Sequence, residues 1–458
     1  MKIANKKVSA VRLVQDALDK AHEFEDYNIF TFIDDKGALE KAKEIDARIA
    51  KGEEVGQLAG VPYALKDNFL SPRGESTASA HILQNFTSPI TATAVAKLEK
   101  EGAIMIGRTN LDAFAHGSST ENSYFGPTLN SHDKERVAGG SSGGSAVAVA
   151  LDIVEFATGT DTGGSIRQPA SFNGVYGLKP TYGCISRYGV VAMASSTDCI
   201  GFFTKSPDDM NLLMEITNGK DPKDLTTLDD YYNNSEIKKA KKVGIIKDFD
   251  NDSVDPEIRN ALKNKCQLLK SKGYDVVEVE MPALKYALAA YYIIVPAEVA
   301  SNLSRYDGVR YGFRSENSSD LEGLYANTRD EGFMPENKRR IMIGNFVLSS
   351  GFYDAYFLKA AKVRTLIVKE YEKAFKTCDF LLTPVSPNPA FKLGEKVDDP
   401  VAMYLEDMMS VSLNLAGVPG LAIPAGETSN GLSVGLQIVG PRRSDKSLIE
   451  FAKVLEES

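Results

Sequence analysis

The spacing of apolar and polar residues along the chain predicts helices and strands in alternation. Apolar residues recur every three or four positions over 8–24 and over 37–50, which is the spacing of one face of an amphipathic helix. Short apolar runs at 61–65 and 103–107 flank a helical pattern over 91–101 and predict two strands joined by a helix. This part of the chain therefore predicts an α/β rhythm, with two amphipathic helices ahead of the first strand.

The same rhythm continues to the C-terminus. Ser206 followed by Pro207 and two aspartates is a helix start signal, and it predicts a helix over 207–218. The remaining apolar patterns predict strands at 243–246, 276–279, 380–382, 421–424 and 432–439, and helices at 256–272 and 445–456. After Leu382 the chain is expected to leave the sheet, because Pro384 has no N–H to donate to a strand ladder.

Residues 338–373 combine helical spacing with aromatic side chains. The pattern predicts two helices broken at Gly351. Most of the aromatic residues of this stretch are expected to lie in the core: Phe346, Tyr353, Tyr356 and Phe357.

A polar, charged stretch at 219–242 separates two sub-regions that we expect to share one sheet. The predicted organisation is a single domain over 1–458. In it, N-terminal helices (1–55) precede a central core (about 56–218), and the rest of the sheet follows over 243–458.

Two glycine-serine clusters, at 139–145 and 163–165, carry the strongest candidate chemistry. Between them lie small apolar residues and then a β-branched and aromatic segment at 154–158. The pattern predicts loop, helix, strand and loop, which would return both clusters to one end of a sheet. Such glycine loops bring backbone N–H groups close to an anion or an oxyanion, and serine adds a hydroxyl.

Composition describes an ordinary globular chain with an acidic balance. Of 458 residues, 43% are hydrophobic and 25% are charged, and the formal net charge is −9. A surface that binds RNA or DNA by itself is usually basic, so we expect nucleic acid to be handled elsewhere. The sequence has no apolar run of 18 residues and no signal-peptide core, which predicts a cytoplasmic protein without a membrane segment.

Cysteine and histidine limit the chemistry. The four cysteines show no CxxC spacing, which argues against a zinc site or a disulfide framework. No histidine follows His132, so a Ser-His-Asp triad is not favoured. We expect solvent-exposed or structural roles for all four histidines: His22, His81, His116 and His132.

The order of residues through the two clusters resembles the signature of the amidase signature family. The matching residues are the Ser141-Ser142 pair, the glycines at 143–144, Asp161, Gly163, Ser165, Ile166-Arg167 and Pro169-Ala170. In that family a nucleophilic serine lies 24 residues after a serine held by a cis peptide bond, and Ser165 lies 24 residues after Ser141. The family fold that this implies is α/β, with a large mixed central sheet covered by helices on both faces.

The resemblance also implies a catalytic arrangement. The family's third catalytic residue is a lysine in a short upstream segment, and 64–68, with Lys66 at its centre, resembles that segment. In this arrangement Ser165 attacks, Ser141 relays the proton and a neutral Lys66 accepts it. Burial suits Lys66 to this role, because it lowers a lysine pKa towards neutrality. The implied cis bond joins Gly140 to Ser141.

Backbone N–H groups around the nucleophile are the natural donors for the oxyanion that forms on attack. These groups belong to Thr162, Gly163, Gly164 and Ser165. We expect Asp161 and Arg167, together with Ser142, to brace this loop by hydrogen bonds rather than to contact substrate.

Outside the signature, long segments resemble the tRNA-dependent amidotransferase branch of the family. They lie at 301–308, 338–341, 348–356 and 414–420. The resemblance implies a glutamine-hydrolysing chain that supplies ammonia to a kinase-like B subunit, with a small C subunit wrapping the interface. The B subunit would use ATP and Mg to activate misacylated Glu-tRNA(Gln), and in many bacteria Asp-tRNA(Asn), and would bind most of the tRNA. The glutamine-hydrolysing chain itself would need no cofactor and no metal.

A free amino acid substrate needs a cation for its carboxylate and an anion for its ammonium. By position, Arg340 and Asp407 are the candidates, with Tyr291 or Tyr292 nearby. Asp407 stands beside Glu406, so the anionic role could belong to either. The polar loop at Gly117 and Ser118 is expected to border the acyl pocket.

Two other functions stay open at this point. One is a stand-alone amidase that acts on another small amide. The other is a non-catalytic binding module whose glycine loops hold a phosphate.

Overall fold

The computed structural model describes residues 8–249 and 251–456, and within them eleven strands form one sheet. The strands are β1 (Phe30–Ile33), β2 (Pro62–Lys66), β3 (Ile104–Thr109), β4 (Phe156–Asp161), β5 (Tyr176–Lys179), β6 (Cys199–Thr204), β7 (Lys242–Ile246), β8 (Asp275–Val279), β9 (Phe380–Pro384), β10 (Gly420–Glu427) and β11 (Ser433–Val439). Their order across the sheet is β1-β3-β2-β4-β6-β5-β10-β11-β9-β7-β8.

The described part of the chain contains fourteen α-helices. They are α1 (Ala10–Glu23), α2 (Asp35–Ala50), α3 (Thr93–Lys100), α4 (Gly143–Ala150), α5 (Arg167–Asn173), α6 (Pro207–Thr217), α7 (Pro256–Ser271), α8 (Ala287–Asn302), α9 (Leu321–Gly332), α10 (Pro335–Leu348), α11 (Lys359–Ala374), α12 (Pro400–Leu405), α13 (Val411–Ala416) and α14 (Asp445–Glu456).

The sheet is mixed, as expected. Parallel pairs join β3, β2 and β4 at one end and β9, β7 and β8 at the other, while the middle strands pair antiparallel. The junction between the halves is the antiparallel pairing of β5 with β10, where Lys179 lies opposite Gly420. The two predicted sub-regions therefore share one continuous sheet.

Successive strand residues point to opposite faces, and each face carries its own apolar core. In β4, Phe156 packs into one core while Ala157 packs into another. In β10, Leu421 and Ala422 divide in the same way. Helices α3, α6 and α14 contribute to the first core, and α1, α4 and α5 to the second. The sheet is therefore covered on both faces.

The predicted order of the first elements is wrong. A short strand, β1, lies between α1 and α2 and pairs antiparallel with β3. Its residues, Phe-Thr-Phe-Ile, are of types common in strands, but four residues that are all partly buried are too few to show an alternating pattern. A strand of this length is set by its neighbour in the sheet rather than by its own sequence.

The prediction for Pro384 is also wrong. Pro384 is the last residue of β9 and still lies opposite Leu436 of β11. A proline is tolerated at a strand end, where the missing N–H costs little.

The aromatic residues at the end of α10 and after it do not lie in the core. Phe346, Tyr353 and Tyr356 are exposed, and Phe357 is only partly buried. Phe346 instead packs beside Phe352, with ring centroids 4.3 Å apart, on the outer surface of the protein. The predicted break between the two helices is confirmed, because Gly351 lies between α10 and α11 with φ of +88°.

One helical stretch of the described residues, Pro282–Arg305, is long and apolar enough to cross a membrane by length and composition alone. Of its most apolar window, 61% is buried inside the protein, so it packs as a core helix.

Candidate active site

Lys66 ends β2 at the edge of the sheet where β4 also ends. The two strands are parallel neighbours, with Tyr63 opposite Phe156, so the loops that follow them lie on the same side. All five residues of β2 are buried, and Lys66 is 0% exposed. The strand therefore carries an amine into the interior, next to the loop that holds Ser165.

Three hydroxyl groups surround this amine. Lys66 Nζ lies 2.9 Å from Ser141 Oγ, 2.7 Å from Ser142 Oγ and 2.8 Å from Thr160 Oγ1. Ser142 Oγ donates its own hydrogen to the carbonyl of Thr160 at 3.2 Å, so it accepts from Lys66. A neutral amine has two hydrogens and one lone pair. With its hydrogens on Ser142 and Thr160, that lone pair faces the hydroxyl of Ser141.

Burial lowers the pKa of Lys66 from its ordinary 10.5 to about 7, because the charged form loses its hydration. The carboxyl groups of Asp112, Asp161 and Asp198 oppose this effect and keep the pKa from falling further. A substantial fraction of the amine is therefore neutral near pH 7.

The backbone around Ser141 is fixed on both sides. The peptide bond between Gly140 and Ser141 is cis. The N–H of Gly140 donates to Gln168 Oε1 at 3.0 Å, and the carbonyl of Ser141 accepts from Asp112 N at 3.2 Å. A Cβ at Gly140 would lie 2.6 Å from the backbone nitrogen of Ser119, so only glycine fits here.

Ser165 lies in the loop between β4 and α5, and its backbone carbonyl accepts from Ser142 N at 3.2 Å. Its side chain is 8% exposed, and its hydroxyl has no hydrogen-bond partner within residues 8–249 and 251–456. The two serine clusters are thus held together through the backbone, while the Ser165 hydroxyl is uncommitted.

Three of the four predicted oxyanion donors are available. The N–H of Gly164 donates to Asp161 Oδ1 at 2.9 Å, so it is committed to the loop. The N–H groups of Thr162, Gly163 and Ser165 have no acceptor in the described part of the chain. The prediction for Gly164 fails because the neighbouring carboxylate takes its N–H.

The structure brings Asp161 and Arg167 together in a buried, two-pronged ion pair. Arg167 Nε and Nη2 each lie 3.0 Å from a carboxylate oxygen of Asp161. Arg167 also donates to Asn414 Oδ1 at 2.7 Å and to Gln437 Oε1 at 2.8 Å. Burial alone would raise the pKa of Asp161, but Arg167 outweighs it and holds that pKa at about 2. The carboxylate therefore stays ionised and holds the loop.

A cavity of about 230 Å³ lies beside this site. Its lining includes Asp112, His116, Gly117, Ser118, Arg340 and Tyr404. The backbone of Ser118 and Ser119 packs against Gly140, so one cavity wall adjoins the Gly140–Ser141 peptide. Ser165 does not line the cavity itself. A substrate in the cavity would therefore need to reach past this wall to meet the nucleophile.

Arg340 is 3% exposed and stands on α10. Its Nε donates to Glu336 Oε1 at 2.8 Å, and its guanidinium lies 5.3 Å from the centre of the Tyr292 ring. Tyr404 stacks on Tyr292 with ring centroids 3.8 Å apart. The arginine is therefore held by one edge between a carboxylate and two aromatic rings.

Asp407 contacts the hydroxyl group of Tyr292. Its carboxylate accepts from Ser118 Oγ at 2.8 Å and from Tyr292 OH at 2.8 Å. Burial raises the pKa of Asp407 to about 7, against these hydrogen bonds and the charge of Arg340. An ammonium group placed beside it would favour the ionised form.

The choice between Asp407 and Glu406 is decided by their partners. Glu406 accepts from Ser386 and Asn388 and pairs with Lys396. Asp407 instead contacts Ser118 at the cavity wall.

Tyr291 lies elsewhere in the site, where a Cβ at Gly163 would fall 2.5 Å from its hydroxyl. It therefore covers the oxyanion loop.

Several site residues escaped sequence reasoning. Thr160 contacts the amine of Lys66, while Glu336 and Tyr404 contact or stack beside the Arg340 pair. Asp112 accepts from the N–H groups of Thr120 and Asn122 and shapes the cavity wall. Of these, only Thr160 could have been found from the sequence. It lies two residues after Thr158 in a strand, so both side chains point to the same face of the sheet. Within residues 8–249 and 251–456, no cluster of histidine, cysteine and carboxylate side chains is placed to hold a metal ion.

Comparisons with known proteins identify relatives along nearly the whole chain. The family described as Amidase matches residues 12–449. The A subunit of the glutamyl-tRNA(Gln) amidotransferase from Persephonella marina is 48% identical over 98% of this chain and 94% of its own length. The corresponding protein from Carboxydothermus hydrogenoformans is 47% identical over 100% of this chain and 95% of its own.

Solved structures show the same fold. The crystal structure of the glutamyl-tRNA(Gln) amidotransferase A subunit from Thermotoga maritima is 38% identical, with a TM-score of 0.76 over 99% of this chain and 95% of that one. A peptide amidase from Stenotrophomonas maltophilia is 26% identical, with a TM-score of 0.83 over 100% and 95%. Both structures superpose well on this chain, so backbone shape does not distinguish an amidotransferase A subunit from a peptide amidase. Sequence identity does, because it is higher with the A subunit. With matches of this extent, the chain belongs to the amidase family.

Proposed function

We propose that this chain hydrolyses glutamine to glutamate and ammonia as the A subunit of a tRNA-dependent amidotransferase. The observation that carries the proposal is the buried Lys66 amine, 2.9 Å from Ser141 Oγ, next to the loop in which the carbonyl of Ser165 accepts from Ser142 N. Relatives that are 47–48% identical over nearly the whole chain are named as this subunit, which supports the choice of substrate.

The first half of the reaction forms an acyl-enzyme. Ser165 Oγ attacks the side-chain carbonyl carbon of glutamine, while its proton passes to Ser141 and the proton of Ser141 passes to Lys66. The lone pair of a neutral Lys66, directed at Ser141, suits it to receive that proton. The proton then returns to the amide nitrogen, the C–N bond breaks and ammonia leaves.

The second half reverses the proton path. A water molecule attacks the acyl carbon and gives its proton to Lys66 through the same serine. The bond to Ser165 Oγ breaks, glutamate leaves, and the serine recovers its hydrogen. No external oxidant, metal or organic cofactor is required for either half.

Negative charge on the substrate oxygen is stabilised by backbone N–H groups. We assign this role to Thr162, Gly163 and Ser165, because the N–H of Gly164 is committed to Asp161. Preorganised donors of this kind are worth about 10²- to 10³-fold in rate each.

The amino acid end of glutamine is assigned to the cavity. Arg340 is the partner for the α-carboxylate and Asp407 for the α-ammonium, with Ser118 and Tyr292 orienting the aspartate. Tyr291 positions the oxyanion loop through Gly163, and Gly117 lines the cavity and leaves room for the carboxyl group of Asp112 behind it.

The partners follow from the same proposal. A kinase-like B subunit uses ATP and Mg to activate the misacylated tRNA and receives the ammonia, and a small C subunit covers the interface. The chain acts in the cytoplasm as one amidase domain, with most tRNA contacts on the B subunit.

The test uses the chain co-expressed with its partner subunits. Ser165→Ala and Lys66→Met should each abolish transamidation driven by glutamine while leaving transamidation driven by added ammonium salts intact. Ser145→Ala is the matched control, since it removes a buried hydroxyl of α4 that bonds to Thr109 and not to Lys66. Equal loss with both nitrogen donors would contradict the proposal.

Arg340→Lys and Asp407→Asn test the substrate. Both should lose activity with glutamine and keep it with ammonium salts. Full glutamine-dependent activity in these variants, or hydrolysis of unrelated small amides alone, would instead indicate a stand-alone amidase. Failure of an acylating inhibitor to label Ser165 would indicate a phosphate-binding loop without an activated nucleophile.

A further inference from the structure

His116 is a buried side chain in the wall of the cavity that also holds Arg340. It follows the turn Ala113–Ala115, in which Phe114 and Ala115 have φ of 56° and 63°. The residue is 0% exposed, and it lines the cavity together with Gly117 and Arg340. The ring therefore lies in the cavity wall just beneath its accessible surface, and a ligand contacts it once the neighbouring wall residues shift.

The neighbouring residue Asn337 determines which ring nitrogen carries the hydrogen. Its Oδ1 accepts from the backbone N–H of Met334 at 3.2 Å, and its Nδ2 donates to the carbonyl of Ala113 at 2.8 Å. These two backbone contacts fix the orientation of the amide. The same Nδ2 lies 2.7 Å from His116 Nδ1, so Nδ1 must accept and the hydrogen must be on Nε2.

The ring is held in its neutral form. Burial lowers the pKa of His116 well below its ordinary value, and the nearby charge of Arg340 lowers it further. Other titratable groups of the same cavity are Asp112, Glu121, Glu336, Arg339 and Lys396. His116 is therefore a hydrogen-bond donor of fixed direction rather than a base or a cation.

That donor is unsatisfied. His116 Nε2 is buried and has no hydrogen-bond partner within the described residues. Buried donors in native proteins nearly always have a partner, and an orphan in a cavity wall is a place where a ligand atom completes the bond. The ligand atom must be an acceptor, because a neutral Nε2–H cannot bind an ammonium group.

We propose that His116 Nε2–H donates a hydrogen bond to the α-carboxylate of glutamine, beside Arg340. This inference rests on the proposed glutaminase function and extends it by a second carboxylate donor. Glu336 already occupies the Nε edge of Arg340, so the arginine offers the substrate only the rest of its guanidinium. Asp407, linked to Ser118 at the cavity wall, takes the ammonium end, and the amide end must reach Ser165 outside this cavity. The carboxylate is thus the acceptor left for His116.

The test compares two variants in the full chain with its partner subunits. His116→Met fills the space without a donor and should raise KM for glutamine about 10- to 100-fold with kcat nearly unchanged, the usual effect of losing a hydrogen bond to a charged group. His116→Gln can again present an N–H group and should recover most of the loss. His81→Met is the control, because His81 lies outside the cavity and its Nδ1 contacts the carbonyl of Glu331.

The outcomes separate this inference from the function it rests on. A wild-type complex that releases no ammonia from glutamine overturns the proposed function. A wild-type complex that does so, combined with unchanged KM in His116→Met or a loss in kcat alone, overturns the role of His116. No recovery in His116→Gln also counts against it.

A second measurement needs no variant. In the wild-type chain labelled with ¹⁵N-histidine, His116 should show the neutral form protonated at Nε2, and glutamate should move its Nε2–H proton signal downfield. A spectrum of the Nδ1–H form, of the charged ring, or without any response to glutamate would overturn the proposal.

Discussion

Lys66 shows how one buried residue acquires a property that its type lacks in water. Lys66 is fully buried, so water does not reach its amine. Three hydroxyl groups take the place of the water that would otherwise hydrate the charge. Hydroxyls solvate an ammonium less well than bulk water, so its pKa falls to about 7. The residue can therefore exchange a proton with a serine near neutral pH.

This pKa predicts the pH dependence of the reaction. A base works only when it is unprotonated, so kcat for glutamine at saturation should fall about tenfold per pH unit below pH 7 and level off above it. Saturation with glutamine separates this effect from the titration of free Asp407. The measurement is ammonia release between pH 5.5 and 8.5.

Thr160→Val provides the matched comparison. It removes an acceptor that stabilises the charged amine, so the midpoint should move to lower pH. A flat profile in the unaltered protein would contradict the assignment of Lys66 as the base.

The sequence was sufficient to predict that Lys66 lies beside Ser141 and that the two serine clusters meet, because these predictions depend on residue type and on order along the chain. It was not sufficient for Thr160 or Glu336, whose contacts arise from tertiary packing. The sequence also led us to assign the Gly164 N–H to the oxyanion. The hydrogen bond from this N–H to the Asp161 carboxylate likewise arises from the folded loop, and nothing in the sequence shows it.

At the level of elements, the ion pair between Asp161 and Arg167 holds the loop between β4 and α5. Through Arg167 it also links this loop to α13 and β11. Arg167, the first residue of α5, contacts Asp161 at the end of β4, Asn414 on α13 and Gln437 on β11. Both members of the pair are 0% exposed. Removing one charge would leave the other buried without compensation.

Asp161→Asn should therefore lower the free energy of unfolding by about 3 kcal/mol at pH 7. The native pKa of Asp161 is below its unfolded value, so the contribution is present above about pH 4 and is lost as the pH falls towards 2. Urea titrations at pH 7 and pH 3 measure both effects. The control is Asp16→Asn, which breaks an exposed helix pair with Arg12 and should change little. Equal losses in the two variants would contradict the role of the brace.

Elements with a long periodic pattern were predictable, and short or irregular ones were not. The helix predicted over 445–456 coincides with α14, because its apolar spacing continues over three turns. The strand β1 and the short helices α12 and α13 carry too few residues to show a period. The aromatic residues between Phe346 and Phe357 misled the prediction, because helical spacing alone does not distinguish a core face from an exposed one.

At the scale of the whole molecule, the acidic balance limits what the chain can bind by itself. A net charge of −9 repels the phosphate backbone of tRNA. The proposed division of work between subunits, with glutamine chemistry on one chain and nucleic acid on another, agrees with this charge.

The purified chain alone should therefore show no tRNA binding at micromolar concentration in about 0.15 M salt, whereas the assembled complex should bind. Filter binding across a salt series measures this. The chain without partners should still be labelled at Ser165 by an acylating inhibitor, which confirms that it is folded. Salt-sensitive tRNA binding by the chain alone would contradict the assignment of tRNA to the partner.

The pairing of β5 with β10 has a consequence for biosynthesis. Lys179 and Gly420 are neighbours in the sheet, yet 241 positions separate them along the chain. At roughly 5–20 residues per second, a ribosome needs on the order of 10–50 s to make the second strand after the first. During that interval β5 is an open edge on the nascent polypeptide, and Gln437 has not yet been made. Nascent chains should therefore depend on chaperone protection, and the enzyme can become active only after the last stretch has left the exit tunnel.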